Sequence, residues 1–115
     1  MRRETVRVFK ALSDPNRIRI VKMLEAGELC VCEVREVLDL SNSTVSKHLS
    51  ILRDADLIVD RKDGKWVNYR LNDRATNSFV RSQLALMKRS FSGDEHVLLD
   101  RKRLQKVDRN SICGT

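Results

Sequence analysis

Ser41-Asn42-Ser43-Thr44-Val45-Ser46-Lys47-His48-Leu49-Ser50-Ile51-Leu52 decides how the rest of the chain is read. Val45, Leu49 and Leu52 fall at i, i+4 and i+7, with Ile51 broadening the stripe, so the segment is a helix with one apolar face. Ser41 offers its hydroxyl as the helix cap. The other face carries Ser43, Thr44, Ser46, Lys47 and Ser50: short donors and one cation, where a purely solvated helix would carry Glu and Lys. Such a face suits close approach to another surface.

Upstream, Val34, Val37 and Leu38 give a short helix up to Leu40, so two helices meet across a tight turn at Leu40 to Asn42. Before that, Asp14 caps a helix whose first turn holds Pro15, the only proline. Ile18, Val21 and Leu24 carry its apolar stripe to about Glu25, and Gly27 stops it. Val6, Phe9 and Leu12 mark one face of a short leading helix. Downstream, Leu57-Ile58-Val59 and Trp66, Val67, Tyr69 and Leu71 flank Asp63-Gly64, the pattern of a β-hairpin with Arg61, Lys62, Lys65 and Arg70 around its tip. A longer helix is expected from Asn72 or Asp73 to about Phe91, because Val80, Leu84, Met87 and Phe91 fall on one line. A stripe of that length can hold two chains together. Residues 93–115 read as a charged, mobile tail carrying Cys113, with one further helical turn around Val97 to Val107.

The 115 residues suit one compact domain, and no apolar run approaches the ~20 residues of a bilayer span. Residues 1–9 lack the apolar stretch of a secretory signal, so the expected location is cytoplasmic, without a membrane partner. Lys and Arg number 23 against 16 Asp and Glu, a net charge of +7. Arg2, Arg3, Arg7, Lys10, Arg17, Arg19 and Lys22 crowd the amino-terminal end against only Glu4 and Asp14. Polyanions are therefore expected partners. Aromatic residues at 4% are too few to stack unpaired bases, which favours duplex DNA over single strands or RNA.

A tight helix pair, a basic hairpin and a long apolar-striped helix, in that order, describe a mainly α winged helix-turn-helix. Its second paired helix enters a major groove while the hairpin reaches the flanking backbone. The expected DNA contacts are Asn42, Ser43, Thr44, Ser46, Lys47, His48, Ser50, Arg61, Lys62 and Lys65. Residues 1–92 would form the folded DNA-binding domain.

Ala11-Leu12-Ser13-Asp14-Pro15-Asn16-Arg17, Glu28-Leu29-Cys30-Val31-Cys32-Glu33, Ser41 with Val45-Ser46-Lys47-His48-Leu49, and Asp60 to Leu71 together resemble the ArsR/SmtB family of small dimeric repressors, in particular its arsenic-responsive members. The resemblance covers residues 5 to 90, with Leu-Cys-Val-Cys as its most specific part. It implies a homodimer built on the first and last helices of residues 1–92, with Val6, Phe9, Val80, Leu84, Met87 and Phe91 as the expected dimer contacts, bound to an operator and released when an inducer binds. Two symmetric copies would read successive major grooves about 34 Å apart, on an imperfect palindrome. No cofactor is required; the implied inducer is As(III) or Sb(III), held by cysteine thiolates.

Cys30, Cys32 and Cys113 are the only cysteines. An odd count without an export signal favours reduced thiols over a disulfide framework. On an extended segment, Cys-X-Cys spacing points both sulfurs the same way, whereas within a helix it splays them, so one sulfur is expected just before the helix. A helix amino terminus favours the thiolate. The family's arsenic sensors carry a third cysteine one turn later, where this chain has Arg35, a side chain able to favour neighbouring thiolates. The third ligand would then be Cys113 or a small exogenous thiol. The zinc site of other members is rejected, because between Asp73 and Phe91 there is one Asp and no His or Glu; Asp94-Glu95-His96 makes a poor preformed cage. Competing readings are a thiol-redox or other soft-metal sensor on the same fold and, ranked lower, a dithiol oxidoreductase. The last lacks the Cys-X-X-Cys and βαβ pattern, and no nucleophile-base set or glycine loop points to an enzyme.

Overall fold

A computed structural model of the chain describes residues 2–112. Helices α1 (Arg3–Ala11) and α2 (Pro15–Leu24) lead into a two-residue strand β1 (Leu29–Cys30). The pair α3 (Val31–Leu38) and α4 (Asn42–Asp54) follows, then the hairpin β2 (Ile58–Asp63) and β3 (Trp66–Leu71), and finally α5 (Ser78–Lys88), α6 (Glu95–Gln105) and α7 (Arg109–Ile112). Local chemistry sets these bounds. Asp14 accepts from the backbone of Asn16 at 2.8 Å and Arg17 at 3.3 Å, with Pro15 opening α2. Ser41 Oγ accepts from Thr44 N at 3.2 Å to start α4. Asp39, at φ 57°, ends α3 in the left-handed region.

Strand order is β1-β3-β2, all antiparallel, with Cys30 opposite Asn68 and Asp63 opposite Trp66. The hairpin turn is Gly64-Lys65. Gly64 has φ +60° at the first central position, where a type II′ turn calls for glycine.

The core gathers Ile20, Val21, Met23, Val34, Val37, Val45, Leu49, Leu52, Leu57 and Ile58, all essentially inaccessible. Each such side chain contributes about 1.5–3 kcal/mol relative to an exposed one.

Three sequence expectations are corrected. In α1 the buried residues are Val8 and Ala11, while Phe9 is exposed. The fifth helix begins at Ser78, capped by Asn77, because Asn72 is occupied at the hairpin base: its Nδ2 donates to Asp56 O at 3.0 Å and its backbone N to Leu57 O. Beyond residue 92, where a mobile tail with one helical turn was expected, α6 runs through Gln105 and packs on α2 and α3. It is fastened by ion pairs that hydropathy does not register. Asp100 accepts from Arg19 Nε at 2.9 Å and Nη2 at 2.8 Å, Arg101 pairs with Glu25 at 3.2 Å, and Val97 is buried. Behind this contact, buried Lys22 donates to Met87 O at 2.7 Å and Ser90 O at 2.8 Å, and pairs with Glu25 at 2.9 Å, tying α2 to the end of α5.

Candidate functional site

With Val45, Leu49 and Leu52 turned into the core, α4 exposes Asn42, Ser43, Thr44, Ser46 and Lys47, and leaves His48 and Ser50 half-buried. The hydroxyls at its start are organised: Ser41 Oγ donates to Thr44 Oγ1 at 2.9 Å and lies 3.2 Å from Ser43 Oγ. The face is therefore a ridge of short donors on a rigid helix, with the cation of Lys47 among them. Such a ridge fits a major groove and can hydrogen-bond base edges and phosphates.

The hairpin presents Lys62 and Lys65 to solvent, with Lys65 Nζ 4.8 Å from the centroid of the Trp66 ring. Arg61 is not an open cation. Its Nη2 lies 2.8 Å from Glu28 Oε1, and Nε donates to both carboxylate oxygens at 3.0 and 3.1 Å. The Arg61 hydrogen bond holds the Glu28 carboxyl below the usual carboxylate range, with charge from Arg61 and Arg70 adding to it against a cost of desolvation. Sequence reasoning missed Glu28; two hairpin cations facing the run before Cys30 were the only available signal.

Cys30 is the N-cap of α3 and the last residue of β1. Its sulfur accepts the Glu33 N–H, and its own N–H donates to Glu33 Oε1 at 3.0 Å, a reciprocal capping box. One thiol does therefore lie just before the helix, and Cys32 follows in its first turn. The chemistry differs from expectation in two respects. Burial pushes the Cys30 thiol above its ordinary range; hydrogen bonds from the Glu33 and Cys32 backbones pull the other way, and the Glu33 carboxylate adds to the rise. Its 2% exposure explains why a helix terminus does not win: removing a thiolate from water costs more than the terminal dipoles return. Arg35 turns to Glu36 at 3.8 Å and donates to Asn42 Oδ1 at 3.3 Å, joining α3 to the start of α4 instead of serving the thiols.

Cys113 lies outside the described residues. Among the described residues no three His, Cys, Asp or Glu side chains gather as a metal cage, which includes Asp94, Glu95 and His96.

Of the expected dimer contacts, Val80, Leu84 and Met87 pack into the protomer's own core and Val6 is half-buried. Phe9 at 54% exposure and Phe91 at 42% remain open. Leu86 is also exposed, and the Phe9 and Phe79 rings meet edge to face at 5.4 Å. The apolar face offered by α1 and α5 is thus turned by about one residue from the line read off the sequence. A cleft of about 550 Å³ between the end of α2, the hairpin base and α5 is lined by neither cysteines nor α4.

Comparison with known proteins places this geometry. Residues 14–59, spanning α2 through the start of the hairpin, match the family described as bacterial regulatory protein, arsR family. The chain is 50% identical over 68 residues to the arsenical resistance operon repressor of Escherichia coli K12, an alignment that spans 58% of either chain. It is 38% identical over 112 residues to the arsenic resistance transcriptional regulator ArsR2 of Pseudomonas putida KT2440, covering 92% of this chain and 94% of that one. Among solved structures, the homodimeric winged helix-turn-helix DNA-binding domain of Mb0332 from Mycobacterium bovis superposes with a TM-score of 0.64 at 28% identity, over 82% of each chain. An alignment running nearly end to end with an arsenic resistance regulator, on a winged helix-turn-helix scaffold, shows that the chain belongs to the arsR family of bacterial regulatory proteins.

Proposed function

We propose that the chain is a transcriptional repressor that grips duplex operator DNA as a homodimer and lets go when As(III) or Sb(III) is captured by Cys30 and Cys32. DNA is gripped through Asn42, Ser43, Thr44, Ser46, Lys47, His48 and Ser50 of α4 and through Lys62, Lys65 and, once exchanged from Glu28, Arg61 of the hairpin. Phe9, Phe91 and Leu86 supply the open part of the dimer face, with Val6 beside them.

The observation that carries the inducer assignment is the position of Cys30. It caps α3, the helix paired with α4, and in β1 it pairs with Asn68 of the hairpin. A sulfur drawn toward a shared ion must give up contacts to both DNA-facing elements at once. The names of the relatives point to the same inducer class. Two sulfurs are supplied by the described residues, and Cys113 or a small thiol completes the pyramid that trivalent arsenic prefers.

The test is release of a labelled operator duplex by arsenite under reducing conditions. Wild type is expected to dissociate, while Cys30→Ser and Cys32→Ser bind DNA but do not respond. Normal release of both variants would refute the assignment. Cys113→Ser decides the third ligand: an unchanged response removes Cys113 from the set. The Cys-X-Cys spacing at the head of α3 leaves one alternative, a thiol-redox repressor. Release by peroxide but not by arsenite would select it.

A further inference from the structure

Arg17 lies beside α4 yet is unavailable to DNA. Its side chain is 14% exposed, and its guanidinium is used on every side. Nε donates to Ala11 O at 2.7 Å and Nη2 to Lys10 O at 3.3 Å, closing the carbonyl end of α1, while Asp14 Oδ2 lies 3.8 Å from Nη1. The remaining contact reaches across to the DNA-facing helix: Nη1 is 3.1 Å from His48 Nδ1.

A guanidinium has donors only, so in this contact Nδ1 must be the acceptor. The ring is then neutral at Nδ1 and carries its proton on Nε2, because the hydrogen bond at one ring nitrogen fixes the role of the other. His48 is half-buried, next to the inward line of Val45, Leu49 and Leu52, at the edge of the exposed face instead of its centre. Nε2 is then the ring nitrogen left to donate, and phosphate and sugar oxygens take about half to two-thirds of the hydrogen bonds a protein makes to DNA.

We infer that Arg17 is a positioning residue that locks His48 as the Nε2–H tautomer, so that the imidazole donates a neutral hydrogen bond to a backbone phosphate of the bound duplex. This rests on the DNA-binding reading above. It differs from a cationic contact in one measurable respect: a neutral donor displaces no counterion, so its loss weakens binding without changing the salt slope, whereas loss of a lysine contact lowers that slope by about one.

The experiment combines imidazole ¹⁵N NMR of the free protein with binding to a duplex that the protein itself selects from a randomised library, measured over a range of salt. The wild-type His48 is expected to show the Nε2–H pattern. Arg17→Lys, which keeps the charge but loses the planar fork, should mix the tautomers and weaken binding by about three- to tenfold with an unchanged slope. His48→Ala, which removes the donor itself, should weaken binding by a similar factor with an unchanged slope, and adding Arg17→Lys to it should cost little more. That non-additivity separates positioning from a general structural role, which would persist in the double variant. A wild-type ring protonated on Nδ1, or Arg17→Lys with wild-type tautomer and affinity, would overturn the inference alone. Failure of the wild type to select any duplex would overturn the DNA-binding reading, and this inference with it.

Discussion

Asp100→Asn tests whether the segment beyond residue 92 is part of the folded body. The Asp100 side chain is 2% exposed and takes two hydrogen bonds from Arg19, at 2.8 and 2.9 Å. The amide keeps the shape but loses the charge and one acceptor, leaving an Arg19 donor facing an NH₂ group. Breaking a fully buried pair costs about 3–5 kcal/mol. Arg19 retains 21% exposure and can partly rehydrate, so about 2–3 kcal/mol is expected here. At about 4 °C per kcal/mol for a domain of this size, the thermal midpoint should fall by about 8–12 °C. Calorimetry gives the midpoint, and amide hydrogen exchange locates the effect: α6 should be protected in the wild type and lose protection selectively in the variant. An unchanged midpoint, together with α6 amides that exchange freely in the wild type, would refute the docking and restore a loose tail.

Lys22→Met should be more damaging than its surface-friendly residue type suggests. It leaves the Glu25 carboxylate without its 2.9 Å partner and removes the lysine hydrogen bonds to the Met87 and Ser90 carbonyls, at a cost of about 3–5 kcal/mol in urea unfolding, part of which Glu25→Gln in the same chain should recover. Glu28→Gln should raise DNA affinity by freeing Arg61, with a steeper salt dependence; equal affinity would mean that Arg61 does not reach the DNA. The same substitution has a defined pH signature. The Glu28 pKa is depressed in the folded chain, so its contribution to stability is present above the ordinary carboxylate range and is lost as pH falls through the folded value. The midpoint difference between wild type and Glu28→Gln should therefore shrink toward acid pH. Finally, Cys30 should be alkylated more slowly than an exposed thiol at neutral pH, since burial both shields it and disfavours its thiolate; rapid labelling would contradict its place in the core.

The parts of the fold legible in the sequence were those written in local periodicity or local caps: α4 from Val45, Leu49 and Leu52, α2 from Asp14-Pro15, the hairpin from its Asp-Gly. What was not legible depended on partners distant in sequence. Nothing near Asp100 announces Arg19 eighty-one residues earlier, and a charged helix scored by hydropathy resembles a solvated one. Likewise Val80, Leu84 and Met87 are correctly apolar, but period alone does not say whether a stripe faces its own core or another chain. Here the core took it, and the open face shifted to Phe9 and Leu86. The thiols divide the same way. That one sulfur precedes the helix follows from spacing; that it is buried and pushed away from its thiolate form depends on β3 and Glu33 folding over it.

That burial bears directly on how an inducer could act. On the proposed reading, Cys30 must leave a site where its sulfur caps α3 and its backbone is held by Glu33 Oε1 at 3.0 Å. Loss of an N-cap costs about 1 kcal/mol, and loss of the reciprocal hydrogen bond about 1 kcal/mol more. The sum falls within the ~1–3 kcal/mol that a tenfold to hundredfold change in operator occupancy requires. A thiolate already formed and exposed would bind the ion with nothing to disturb, and binding would carry no message to α3 or the hairpin. The suppressed reactivity of Cys30 is, on this account, the source of the coupling. Coupling is reciprocal, so operator DNA, by holding α3 and the hairpin in place, should weaken arsenite binding by the same factor.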